Sequence, residues 1–152
     1  MREIERSGGD AFYQPLDVRR GENCAAMVDA ALTQFGHLDI AFDNASIRGS
    51  LALIESLGPR TWREVIDLNL TALFNCMVHE RRAMTEHGGS IVNTAPITHQ
   101  AGTPDSAPHS VSDQGVIGMM RTAAPLYGRY GVRINAFCPD HFDAPAEALA
   151  YG

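Results

Sequence analysis

Residues 36–46 read GHLDIAFDNAS, and their place in the hydrophobic rhythm of the chain decides the fold. A glycine that stops a helix is followed by LDIAF (38–42), a short apolar run of the kind that forms a buried strand, and then by a polar turn. On the N-terminal side, residues 22–35 place Ala26, Met27, Ala30, Ala31 and Phe35 on one helical face. On the C-terminal side, from Thr61 to about Met84, Trp62, Val65, Ile66, Leu70, Leu73, Phe74 and Met77 predict the longest helix. Thr61 is its expected N-cap, with Glu64 three residues on completing a capping box. Farther out, GGSIVNTA (88–95) predicts a strand, 109–127 a helix and VRINAFC (132–138) a strand. AFYQPL (11–16) reads as another short strand, confined by Pro15 to an edge or a strand end. This alternation predicts one α/β domain, a parallel sheet covered by helices on both faces. The irregular stretch 95–108 follows a strand end, where open α/β sheets bind ligands.

Composition narrows the function classes. The 152 residues carry a net charge of −6, so a basic nucleic-acid-binding face is not expected. Hydrophobic content of 45% and charged content of 20% suit a soluble globular domain, and no apolar run is long enough to span a membrane. The opening MREIERSGGD has charges of both signs and no apolar stretch, which argues against a secretory leader. Cys24, Cys76 and Cys138 are odd in number and widely spaced; they read as small buried residues, reduced in a cytoplasmic protein. Pro125 falls inside the 109–127 helix, where a kink or an early end is expected.

Six collinear pieces carry a family resemblance: LDV (16–18), GHLDIAFDNAS (36–46), WREVIDLNLTALF (62–74), GSIVNTA (89–95), GVIGMMR (115–121) and GVRINAFCP (131–139). Together they resemble the short-chain dehydrogenase/reductase (SDR) family over nearly the whole chain. The resemblance implies a Rossmann-like parallel sheet, NAD or NADP as cofactor, and hydride transfer to or from a carbonyl or alcohol carbon. It also implies an incomplete sheet flanked by helices, a single partial domain over 1–152 that lacks the first two and the last family strands. The strand at 11–16 then either moves beside 38–42, or that edge stays open, or another chain fills it. Gly8 and Gly9 match the family's turn ahead of its third strand rather than its phosphate-binding loop.

The resemblance also assigns site positions. The family's catalytic Tyr and Lys fall on His109 and Asp113, and its Ser on Pro96; Asn69 alone is retained. Proline has no hydroxyl to bind a developing alkoxide, and a carboxylate raises rather than lowers the pKa of a neighbouring acid. Asp17, Val18, Asn44 and Ala45 match cofactor-contacting positions and read as leftover structural residues; Asp43 and Ser46 are changed at the flanks of Asn44 and Ala45, and Asp140 and Ala144 replace the family's Gly and Thr after the strand at 132–138.

These substitutions predict a catalytically inactive remnant or pseudoenzyme with no cofactor, or with NAD or NADP if any binding survives. One alternative is an NAD(P)-dependent oxidoreductase completed by another chain. A second is a repurposed acid–base or metal site of His109 and Asp113 with His141, Asp140 and His99. His109 and Asp113 stand four apart on one helix face, a spacing more often found in a surface pair. The helices at 61–84 and 109–127, with Leu73, Met77, Val116, Met119 and Met120, are the expected surfaces for a homo-oligomer or for another SDR chain.

Overall fold

A computed structural model describes residues 1–95 and 105–139. The elements are α1 (Arg2–Arg6), α2 (Gly21–Phe35), β1 (Ile40–Asp43), α3 (Pro59–Ile66), a π-helical turn (Asp67–Thr71), α4 (Ala72–Ala83), β2 (Gly89–Thr94), α5 (Ala107–Tyr127) and β3 (Val132–Phe137). The strands form a parallel sheet in the order β1-β2-β3, with Ala41 opposite Ile91 and Ile91 opposite Ile134.

The strand order dictates where the helices go. Parallel crossovers are almost always right-handed, so two successive steps in the same direction put both connecting helices on one face. The row Ala41–Ile91–Ile134 accordingly packs with Leu73 and Met77 of α4 and with Val116, Met120 and Ala123 of α5. Helix α2 lies in the same layer, against α4. Its buried face is Cys24 and Val28, flanked by half-buried Met27 and Ala31. Expected face residues Ala26 and Phe35 are exposed. On the other side of the sheet Ile40, Phe42 and Phe137 are exposed, so among the described residues only one face is covered. The two-sided cover expected from the alternation is thereby corrected.

Residues 11–16 are not a strand. Pro15 offers no donor and no neighbour pairs with the segment; Phe12 instead rests on Phe35, their ring centroids 5.8 Å apart. Among the described residues β1 therefore has β2 as its one partner.

The long helix begins earlier than expected. Gly58 is the N-cap and Pro59 occupies the first turn, where its missing N–H costs nothing; the Thr61 capping box does not form. The π turn at Asp67–Thr71 inserts a residue and rotates the face that follows. Asn69, Ala72, Leu73, Cys76, Met77 and Glu80 are buried, whereas Trp62 and Phe74 of the expected apolar face are exposed. At the crossing of α5 with this turn, a Cβ on Gly115 would lie 2.7 Å from Leu70 Cδ2, so glycine allows the close approach. Helix α5 passes through Pro125 and ends at Tyr127, where a 3₁₀ turn takes over. Leu73, Met77, Val116 and Met120, expected on an association surface, belong to the chain's own core. No helix among the described residues is long and apolar enough to cross a membrane.

Candidate active site and cofactor cleft

The π turn and the first turns of α5 meet around Asn69. Its Oδ1 accepts the Ile47 N–H at 2.9 Å and its Nδ2 donates to the Ile47 carbonyl at 2.9 Å. This two-point grip fixes which end of the amide is nitrogen. The same Nδ2 lies 3.1 Å from His109 Nδ1 and 3.3 Å from Ser112 Oγ. An amide nitrogen only donates, so Nδ1 accepts and the neutral imidazole carries its proton on Nε2. Ser112 Oγ in turn donates to the His109 carbonyl at 2.7 Å.

Asp113 stands one turn on, its Oδ1 3.9 Å from His109 Nδ1. The two residues are 7% and 3% exposed, so the pair is interior rather than the surface pair that its spacing suggested. Burial pushes the Asp113 carboxyl from 3.8 up to about 7. The position that matches the family's lysine thus holds an acid that is only about half ionised near pH 7. The structure brings Asn69, His109 and Asp113 together. Pro96, His99, Asp140, His141 and Ala144 lie outside the described residues.

The second region is a cavity of about 310 Å³ at the open edge of β1, lined by Val18, Asn44 and Ala45 among others. Thr94 Oγ1 donates to Asn44 Oδ1 at 2.8 Å, joining the C-terminal ends of two parallel strands, where ligands sit in such sheets. Val18 also accepts the Cys24 thiol proton through its carbonyl at 3.2 Å. Asp17 is turned to Arg19 at 2.7 Å, which holds its carboxyl down at about 2. Gly8 is left-handed, with φ of 83°, and the Gly9 N–H bonds the Ile4 carbonyl at 3.0 Å. These glycines close the end of α1 in the manner of a helix C-cap and make no phosphate cradle. The described residues therefore set Val18, Asn44 and Ala45 along one cleft, and a carboxyl, Asp113, stands where the resemblance places the family's lysine.

Deeper in that cavity the structure gathers side chains that spacing alone did not connect. The thiols of Cys24 and Cys76, 52 positions apart, are 3.3 Å from each other. Asp43 and Glu80 face one another beside Cys76, and burial pushes both carboxyls up, Glu80 further because of the Asp43 charge. The one sequence signal was Cys76 and Glu80 at i,i+4 on the long helix.

A nucleotide-binding type of parallel α/β domain is the class that this sheet and cleft define. A family profile described as enoyl-(acyl carrier protein) reductase matches residues 1–151. The 2,5-dichloro-2,5-cyclohexadiene-1,4-diol dehydrogenase of Sphingobium indicum is 36% identical over 144 residues, 93% of this chain and 58% of that protein. The cyclohexanol dehydrogenase of an Acinetobacter species is 37% identical over 144 residues, 94% of this chain and 57% of that protein. Among solved structures, NAD⁺-bound xylitol dehydrogenase superposes with a TM-score of 0.91 at 28% identity, covering 97% of this chain and 57% of its own. A short chain dehydrogenase from Mycobacterium smegmatis gives 0.86 at 25% identity, covering 91% and 59%. The chain belongs to the short-chain dehydrogenase/reductase family. It spans between half and three fifths of the length of the curated relatives it matches.

Proposed function

We propose that this chain is a catalytically silent SDR domain that keeps the scaffold of an NAD(P)-dependent oxidoreductase without its proton relay. The buried Asp113 carries this reading. A lysine there would hold a ribose and lower the pKa of a neighbouring acid; a carboxyl does neither. His109 cannot take over alone, since its Nδ1 is engaged by Asn69 and the neighbour one turn on is the Asp113 carboxyl. Loss of such electrostatic groups costs orders of magnitude in rate. Supplying further strands from another chain would leave His109 and Asp113 where they are. Titration with NADH and NADPH, followed by nicotinamide fluorescence, tests the reading. No saturation up to millimolar cofactor is expected, and saturable binding with turnover of an alcohol or ketone would overturn it.

One observation favours a second reading, a repurposed acid–base pair: His109 and Asp113 are in buried contact, and Asp113 is poised at about 7. Nitrogen NMR of His109 would then show a transition between pH 6 and 8 that disappears in Asp113→Asn. A flat His109 signal would sink this alternative.

A further inference from the structure

The second cluster supports a site unrelated to hydride transfer. Asp43 ends β1, while Cys76 and Glu80 lie one turn apart on α4. One ligand atom from each lies within 4.8 Å of the other two. Cys76 and Glu80 are both 3% exposed. Among the described residues, Asp43 Oδ2 and Glu80 Oε2 have no hydrogen-bond partner. A buried carboxylate oxygen without a partner is costly, and natural interiors rarely keep one unless something binds there. Cys24, another sulfur donor, stands beside the cluster with its Sγ 3.3 Å from that of Cys76.

The geometry points to a divalent cation site of the zinc class, with Asp43, Cys76 and Glu80 as its three protein ligands. Two carboxylates and a thiolate form a mixed donor set that suits a borderline-soft ion better than magnesium or calcium. Zinc–sulfur and zinc–oxygen bonds of ~2.3 and ~2.0–2.2 Å at tetrahedral angles put donors roughly 3.4–3.6 Å apart. Donor atoms within 4.8 Å of one another therefore close by on the order of 1 Å around the ion. The cavity that lines β1 reaches all three residues, so it supplies an entry path and room for a solvent molecule at the fourth position.

A dication bound there would displace the protons of its ligands to solvent and offset the charge of the two carboxylates and the thiolate.

The test uses the full chain, stripped with chelator, and titrated with Co²⁺ and Zn²⁺. One ion per chain is expected, with a near-ultraviolet thiolate-to-cobalt band that Zn²⁺ bleaches. Cys76→Ser should abolish the band, and Glu80→Gln and Asp43→Asn should weaken affinity on the order of tenfold or more. Cys138→Ser, a partly exposed thiol outside the cluster, should leave both unchanged. Circular dichroism checks that each variant is folded; should Cys76→Ser unfold, the two isosteric carboxyl variants still decide. Cobalt bound without a thiolate band, a band that survives Cys76→Ser, equal competition by Mg²⁺, or no binding would each overturn the assignment.

Discussion

Two buried polar clusters sit some distance apart on the same helix, and they are built on opposite terms. Around Asn69, every hydrogen-bonding atom of the amide side chain is engaged, and the partners come from the segment after β1 and from α5. Around Glu80, the neighbours are another carboxyl and a thiol, and carboxylate oxygens are left over. The first arrangement locks three segments together by satisfied hydrogen bonds. The second holds groups that repel one another when ionised, and burial pushes both carboxyls up, Glu80 further than Asp43. Equal burial thus accompanies opposite contributions to stability, since a satisfied polar network specifies a fold and an unsatisfied one weakens it.

Removing the lock should have the largest effect. Asn69→Leu deletes both bonds to Ile47 and the contact to buried His109, leaving part-buried backbone groups of Ile47 unpaired. A loss of about 3 kcal/mol in urea unfolding is expected. Glu80→Leu is the matched change in the other cluster. In metal-free buffer it should cost less than about 1 kcal/mol, because the group removed has an unpartnered oxygen and the replacement is apolar. Similar losses from the two substitutions would break the comparison.

A pH series sharpens it. The Asp113 carboxyl is raised from 3.8 to about 7 in the folded chain, so the folded state binds more protons than the unfolded one across that range. Its contribution is fully present below about pH 4 and is lost as pH rises through about 7. At ~1.4 kcal/mol per pKa unit, a rise from 3.8 to about 7 amounts to roughly 4 kcal/mol at most. Asp43 and Glu80 are raised in the same direction and add to the slope. Asp113→Asn should flatten the fall in urea midpoint between pH 5 and pH 8 without removing it. An unchanged slope would mean that Asp113 is ionised in the folded protein.

The two clusters also differ in how far the sequence discloses them. His109 and Asp113 were found through the GVIG register and their i,i+4 spacing, and Asn69 through DLNL. Their burial was not foreseen, because a helix pair of this kind is usually solvated and nothing local marks the packing of α5 over the π turn. The second cluster was invisible as a cluster: Cys24, Asp43, Cys76 and Glu80 come from three elements and meet only when α2 and β1 flank α4. The main helices and strands were legible from hydrophobic period, within a residue or two at most ends. Two features were not. The π turn shifts which residues of the long helix face inward, and the one-sided helix layer follows from strand order, which period does not contain.

Smaller effects are expected where the comparison reaches the helix crossing and the surface. Gly115→Ala places a methyl group 2.7 and 2.9 Å from the two Leu70 methyls, next to the satisfied cluster. The clash falls on the far end of the Leu70 side chain, which must turn away, so a loss of about 1–2 kcal/mol is expected, with Asn69 dynamics increased in amide exchange. Asp17→Asn, by contrast, breaks an ion pair whose side chains are 40% and 51% exposed. The pair is short and bidentate in appearance, and its carboxyl is held down near 2, yet water screens both groups. Such exposed pairs contribute little, and the unfolding midpoint should stay within the error of measurement. A clear destabilisation by Asp17→Asn would mean that Asp17 organises the entry into α2, where its backbone carbonyl already accepts the Asn23 amide at 2.9 Å.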